Sequence, residues 1–215
     1  RANLLDSKEA EASLSDADVV VHLAAKIGGI GYFHRLPAYI ISKNDTINLN
    51  VFNAVRDSAC SRIVFASSSM VFENASVFPT PEDHVCPPPM SSYGFQKLNG
   101  EYYCKAFKEQ YGLGYAIVRP FNAIGTREYP GMFIGRSHVI PDFARKLIKI
   151  RQDPFEILGS GEQTRSFTDI RDLSKGIFLA ATCDKRLNTD FNIGSSEEIT
   201  INDLAERMID ASGFQ

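Results

Sequence analysis

The chain has 215 residues, 44% of them hydrophobic and 11% aromatic, which is enough apolar material for one large or two small domains and excludes a disordered chain. Its formal net charge of −3 and the lack of any Lys/Arg block exclude the basic surface typical of nucleic-acid binding. No apolar run reaches the roughly 18 residues of a membrane span, and four scattered cysteines without a CxxC pair predict a cytoplasmic protein with reduced thiols and no metal site.

The first part of the chain alternates predicted strands with predicted helices. Three short apolar runs, too uniformly apolar for strands with one wet face, predict buried parallel strands at Asp18–Ala25, Arg62–Ala66 and Tyr115–Val118. Apolar residues at three- or four-residue steps predict a helix at Pro37–Ala59, and a second helix at Ser92–Tyr111 ends at a glycine. This alternation predicts an α/β fold with a doubly wound parallel sheet and helices on both faces.

Beyond residue 125 the pattern is less regular. It predicts helices at Pro141–Arg151, Asp172–Thr182 and Asn202–Ala211, and strands at Phe155–Leu158 and Phe191–Ile193. We therefore expect a sheet domain over residues 1–125 and a smaller α/β lobe for the substrate over residues 126–215.

A hydroxyl cluster, SSSMVF at Ser67–Phe72, follows the second predicted strand, where ligands of parallel sheets bind. Tyr93 and Lys97 lie four residues apart, one helical turn, so the ammonium is expected near the phenol and is expected to lower its pKa. A serine at the strand end would then hold a substrate alcohol beside Tyr93, with a nicotinamide on the other side of the carbon. The alternative is a surface pair on an amphipathic helix, because YxxxK alone occurs often by chance.

The sequence resembles the extended short-chain dehydrogenase/reductase family, and within it the nucleotide-sugar epimerases and dehydratases. The resemblance rests on six motifs in order along the chain: VVHLAA (20–25), FASSSMVF (65–72), YGFQK (93–97), RPFNAIG (119–125), GSGEQTRSFTDIRDL (159–173) and FNIGS (191–195). It implies a Rossmann-type domain for NAD, with NADP also possible, and a C-terminal lobe that grips a nucleoside diphosphate sugar. It also implies a homodimer formed through the two long helices.

The resemblance assigns roles to individual residues. Tyr93, Lys97 and Ser68 match the catalytic positions, with Ser69 competing for the role of Ser68. The implied cofactor neighbours are Leu23, Ala24, Ala25, Asn44, Ser67, Tyr93, Lys97 and Pro120, and the implied substrate contacts include Ser69, Asn122 and Arg165. The Arg165 guanidinium suits two phosphate oxygens; a lone arginine there would otherwise form a solvated ion pair, for which Asp169 is at hand.

Two further stretches resemble the GDP-fucose synthase and GDP-mannose 3,5-epimerase branches. They are AAKIGGIG (24–31), which makes Gly29 a substrate neighbour, and SHVIP (137–141), which makes His138 a candidate acid/base or a ligand for sugar hydroxyls. Those branches place a Cys two residues after the catalytic serine, whereas Met70 stands here and cannot move a proton. Chemistry that needs only Ser, Tyr, Lys and NAD remains possible, as does a dehydratase or reductase.

The family begins with a strand and a GxxGxxG turn for the cofactor pyrophosphate, and no glycine precedes Asp18. We therefore expect an N-terminally truncated Rossmann domain whose first βαβ units are missing. The rival hypothesis is a fragment or binding module that retains the fold without activity.

Overall fold

The computed structural model describes residues 1–28, 30–129, 137–184 and 187–213. Its helices are α1 (Ser7–Leu14), α2 (Ile30–Arg35), α3 (Pro37–Arg56), α4 (Ser92–Tyr111), α5 (Val139–Ala144), α6 (Ile170–Thr182) and α7 (Ile201–Ser212). A 3₁₀ helix covers Ser69–Phe72, and a π-helix, Arg145–Ile150, continues α5. The strands are β1 (Val19–His22), β2 (Arg62–Ala66), β3 (Gly114–Pro120), β4 (Ala123–Ile124), β5 (Thr164–Arg165), β6 (Thr168–Asp169), β7 (Thr189–Ile193) and β8 (Ile199–Thr200).

Within the described residues, the main sheet has four parallel strands in the order β1-β2-β3-β7. Val19 lies opposite Arg62, Arg62 opposite Gly114, and Ala116 opposite Thr189. The predicted α/β class, a Rossmann-like parallel sheet with helices, is confirmed. The division at residue 125 remains a proposal, and β7 joins the sheet from the C-terminal side of that division.

Side-chain alternation along β2 separates the core into two layers. Ile63 and Phe65 face α3 and α4, where they join a cluster that includes Phe52. Val64 faces the other way, toward a cluster that contains Ala180 of α6. Both faces of β2 are therefore covered, which explains why its sequence is continuously apolar rather than alternating.

The C-terminal elements form a separate cluster around Phe143, Ile201, Leu204 and Ala205. The chain also forms two short ladders, the parallel β4-β6 and the antiparallel β5-β8, and Ile199 of β8 packs against this cluster. Helix α7 begins with a capping box in which Thr200 and Asp203 bond each other's backbone N–H groups.

The strand predicted at Phe155–Leu158 is wrong, because these residues lie outside any strand. Phe155 and Ile157 alternate because both pack against the C-terminal cluster. The intervening carbonyl of Glu156 accepts a hydrogen bond from the Lys146 ammonium at 2.7 Å instead of a strand neighbour. An apolar residue at every second position can therefore also occur in an irregular segment that packs against a helix.

The described helices include none that combines the length and the apolar character needed to cross a bilayer. The four cysteines are unpaired thiols in the structure.

Helix α4 approaches β2 closely through Gly100. A Cβ added there would lie 2.1 Å from Cζ of Phe65, a side chain that is 1% exposed. We expect Gly100→Ala to lower the free energy of unfolding by about 2 kcal/mol, because overpacking a rigid ring outweighs the better helix propensity of alanine. Urea unfolding measures this change.

A double variant, Gly100→Ala with Phe65→Leu, is the control, since the shorter leucine opens the space. The double variant should lose less unfolding free energy than the two single variants lose when their losses are added. A Gly100→Ala protein as stable as the parent would contradict the close approach of α4 to Phe65.

Candidate active site

The end of β2 is held by the 3₁₀ helix that follows it. Ser68 has extended backbone angles and caps this helix, its Oγ accepting a hydrogen bond from the Met70 N–H at 3.2 Å. Ser67 and Ser68 are buried, and Ser69 is half-buried as the first residue of the helix. The serine cluster therefore sits at the carboxyl end of a central strand, as predicted.

The start of α4 is anchored to this same 3₁₀ helix. Ser91 caps α4 by accepting from the Gly94 N–H at 3.1 Å, and its hydroxyl donates at 2.9 Å to Glu73, the residue that follows the 3₁₀ helix. A Cβ at Gly94 would lie 2.7 Å from the Met70 carbonyl oxygen, so only glycine permits this approach. The first turn of α4, with Tyr93, is thereby fixed beside the serines.

Tyr93 and Ser68 form a side-chain hydrogen bond. Burial raises the pKa of the Tyr93 phenol, and the hydrogen bond from Ser68 partly opposes that rise. The prediction that Lys97 lowers this pKa is wrong for the structure as it stands, because desolvation dominates. Tyr93 therefore keeps its proton at neutral pH.

Lys97 lies one turn further along α4 and is 5% exposed. Its ammonium donates to the Ala66 carbonyl at 2.6 Å and lies 5.8 Å from the Tyr93 ring centroid. Burial lowers the pKa of Lys97 to about 8. The spacing of four residues places Tyr93 and Lys97 on one face of α4, and the anchored start of this helix places them beside Ser68.

An aromatic ring that the sequence analysis did not assign covers Tyr93. Phe33 of α2 stacks on the phenol with ring centroids 4.7 Å apart and an interplanar angle of 15°. The signal for it was the pair Tyr32-Phe33 directly after the glycine-rich stretch. Gly29, the substrate neighbour expected in that stretch, lies outside the described residues.

The cofactor neighbours expected after β1 lie in the loop that follows this strand, and Asn44 is hydrogen-bonded to that loop. Leu23 is 55% exposed, Ala24 is exposed and Ala25 is half-buried. Asn44 is buried, and its side-chain oxygen accepts from the Lys26 N–H at 2.6 Å while its nitrogen donates to the Lys26 carbonyl at 3.1 Å. Its amide is therefore engaged by the protein backbone, so Asn44 shapes the loop that follows the strand.

Ser67, another expected cofactor neighbour, donates its hydroxyl to Glu101 of α4 at 2.5 Å. Pro120 ends β3 and is half-buried. Glu101 has no role predicted from the sequence, although it continues the spacing of Tyr93 and Lys97 by four more residues.

The expected substrate residues of the C-terminal part lie on separate elements. Asn122 has a positive φ of 35° and donates to the Ser166 carbonyl at 3.0 Å. Arg165 is exposed and donates to the Thr164 carbonyl at 2.7 Å, while Asp169 pairs with Arg171 instead. The hydrogen bonds of Asn122 and Arg165 within the described ranges do not reach the Tyr93 cluster.

His138 forms a pair of its own. Its Nδ1 lies 2.5 Å from Oε1 of Glu128, and the side chain is 53% exposed. This hydrogen bond raises the pKa of His138 above its ordinary value. His138 thus has the partner that an acid/base residue needs, and its hydrogen bond to Glu128 does not involve Ser68 or Tyr93.

Comparisons with known proteins place this geometry in context. A putative UDP-glucose 4-epimerase of Methanocaldococcus jannaschii is 33% identical over 204 residues, covering 94% of this chain and 64% of that protein. The GDP-mannose 3,5-epimerase of Arabidopsis thaliana is 32% identical over 199 residues, covering 89% of this chain and 51% of that protein. The chain thus spans between half and two thirds of the length of these relatives.

A solved structure is also similar: UDP-glucuronic acid 4-epimerase from Bacillus cereus, in complex with UDP-glucuronic acid and NAD, has a TM-score of 0.86 and 27% identity. It matches all of this chain, which covers 65% of that one. The model of the NAD dependent epimerase/dehydratase family matches residues 1–194. The chain belongs to the NAD dependent epimerase/dehydratase family.

Proposed function

We propose that the protein containing this chain is an NAD(P)-dependent epimerase of a nucleoside diphosphate sugar. The observation that carries the proposal is the convergence of Ser68, Tyr93 and Lys97 at the carboxyl end of β2. The named relatives and the family membership support the substrate class. A dehydratase or reductase outcome uses the same three residues, and product analysis separates these reactions.

The residues at the strand ends fit the nicotinamide end of the cofactor. Leu23 and Ala24 present exposed small and apolar surface after β1, beside the loop that Asn44 holds. With Pro120, Tyr93 and Lys97 they would hold the nicotinamide ribose. When bound, the cofactor accepts a hydride from a sugar carbon and returns it. Residues 1–18 contain no glycine-rich turn that could bind the cofactor pyrophosphate. The proposal therefore concerns the nicotinamide end of the cofactor.

Tyr93 is the proton-transfer residue of the proposal. Ser68, hydrogen-bonded to it, would orient the substrate hydroxyl, and the Tyr93 oxygen would exchange a proton with that hydroxyl. The Lys97 ammonium, 5.8 Å from the phenol ring, would stabilise the negative charge that develops on the oxygen. Phe33 keeps water from one face of the ring.

The remaining expected contacts would hold the nucleotide sugar. Ser69 and Gly29 would approach the sugar and Asn122 would contact it, while Arg165 would grip the diphosphate. Within the described residues, Arg165 uses one N–H for the Thr164 carbonyl, and its other donors suit a bidentate pair with phosphate oxygens.

A homodimer through α3 and α4 completes the proposal. Tyr39 and Leu49 of α3 and Tyr102 of α4 are 42%, 45% and 66% exposed, and paired helices would bury such side chains. The sedimentation mass of the purified protein tests it.

The unpaired thiols support a reducing compartment, for which we propose the cytoplasm.

The proposal is tested with the complete gene product that contains this sequence, NAD, and UDP-glucose or GDP-mannose, following the sugar isomers by NMR. Tyr93→Phe should lower conversion at least ~100-fold, the usual contribution of a general acid–base group, with sugar binding retained. Tyr111→Phe, which changes an exposed tyrosine at the far end of the same helix, is the matched control and should behave as the parent. Unchanged turnover in Tyr93→Phe would refute the assigned role.

Lys97 makes the stability of the fold depend on pH. Its pKa is 10.5 unfolded and about 8 folded, so between these values the unfolded chain binds more protons and stability rises with pH. The shift corresponds to about 3 kcal/mol, which the charged ammonium costs at pH 7. We expect Lys97→Met to lose this rise in urea unfolding free energy between pH 8 and 10.5, and also to lose conversion.

Lys105→Met, an exposed lysine of the same helix, is the control and should keep the rise. If the stability of the parent and of Lys97→Met changed with pH in parallel, Lys97 would not be buried as a cation.

His138 is proposed to move a proton at the sugar. In that case conversion in D₂O places deuterium at C3 or C5 of the sugar, and His138→Gln removes this label. Glu128→Gln should lower the apparent pKa of the labelling step, since Glu128 raises the pKa of His138. Conversion without any deuterium at C3 or C5 would leave His138 as a residue that binds sugar hydroxyls.

A further inference from the structure

Three residues of α4 bind three consecutive residues at the end of β2. Lys97 donates to the Ala66 carbonyl, Tyr93 bonds the Ser68 hydroxyl, and Glu101 accepts from the Ser67 hydroxyl. Tyr93, Lys97 and Glu101 follow one another at four-residue steps and share one face of the helix. The proposed function uses the first two contacts and leaves the third without a role.

Glu101 is 2% exposed, and both of its carboxylate oxygens are engaged. Oε1 accepts from the Ser67 hydroxyl at 2.5 Å and from Nε of Arg119 at 2.8 Å, and Oε2 accepts from Nη2 of Arg119 at 2.7 Å. An ionised carboxylate only accepts hydrogen bonds, so the Ser67 hydroxyl must donate. The direction of the Ser67 side chain is thus set by a charged partner inside the protein.

Arg119 compensates the charge of Glu101 and fixes its place. It forms a bidentate pair with Glu101, a 2.7 Å bond with Asp190 of β7 and a 3.0 Å bond with the Glu82 carbonyl. Arg119 itself is 4% exposed and belongs to β3. The carboxylate is therefore held from two neighbouring strands, and a buried pair with this geometry has little freedom.

We propose that Glu101 is a positioning residue for the candidate site. Glu101 holds the Ser67 side chain and thereby fixes the backbone that places the Ser68 hydroxyl beside Tyr93. Ser67 and Ser68 are adjacent, so a turned Ser67 displaces the Ser68 Oγ. The claim that Glu101 affects catalysis rests on the proposed function, whereas the claim that it positions the Ser68–Tyr93 hydrogen bond does not. Because the Ser67 hydroxyl donates to Glu101, the expected contact of Ser67 with the cofactor would use its oxygen as an acceptor.

The test follows the Tyr93 resonance in protein labelled with ¹³Cζ-tyrosine, assigned by its loss in Tyr93→Phe. The Ser67→Ala variant removes the hydroxyl and keeps the Glu101–Arg119 pair. We expect its Tyr93 shift at pH 7 to move in the direction seen in Ser68→Ala and by a smaller amount. Ser67→Thr should restore the parent shift, and Ser58→Ala, which removes a hydroxyl bonded to the Val55 carbonyl, should not change it.

Glu101→Gln should move the Tyr93 resonance further, and if this variant does not fold, Ser67→Ala decides. A folded Ser67→Ala protein with the parent Tyr93 shift would overturn the inference. The readout needs no turnover, so failure of the proposed function would show separately as absent conversion. Where conversion is present, Ser67→Ala should lower kcat about tenfold to a hundredfold and leave the KM for the nucleotide sugar unchanged. A raised KM for NAD with an unchanged kcat would instead support direct contact between Ser67 and the cofactor.

Discussion

The candidate site depends on the docking of helix α4 against the end of β2. Phe65 occupies the space left by Gly100, and the residues after Phe65 are bound by the stripe Tyr93, Lys97 and Glu101. Apolar contact sets the distance between helix and strand, and the polar pairs set the direction of each side chain. Catalytic geometry and core packing are thus properties of one interface.

This interface places two charges where water cannot reach them. Glu101 has Arg119 beside it, so its charge is balanced. Lys97 has a backbone carbonyl as its hydrogen-bond partner, and burial weakens its hold on the proton. A fold selected only for stability would carry an apolar side chain at position 97, so a lysine buried there supports a functional role.

The sequence predicts the parts of this site that follow from local periodicity. The serine cluster, Tyr93 and Lys97 could be grouped because they lie at a strand end and on one helical turn, while the choice of Ser68 within the cluster came from the family resemblance. The parallel strands followed from uniformly apolar runs. The stacking of Phe33, the bond of Asn44 to Lys26 and the pair of His138 with Glu128 join residues from separate elements, which spacing does not reveal. The raised pKa of Tyr93 was missed because it reflects burial, which depends on the packed structure.

The four-residue stripe on α4 has an evolutionary consequence. Each residue of an α-helix turns the chain by about 100°. An insertion or deletion of a single residue between Tyr93 and Glu101 would therefore rotate one part of the stripe away from β2, and no rotamer change could restore it. Relatives that keep this chemistry should vary freely in the identity of the outward residues in this window while its length stays constant.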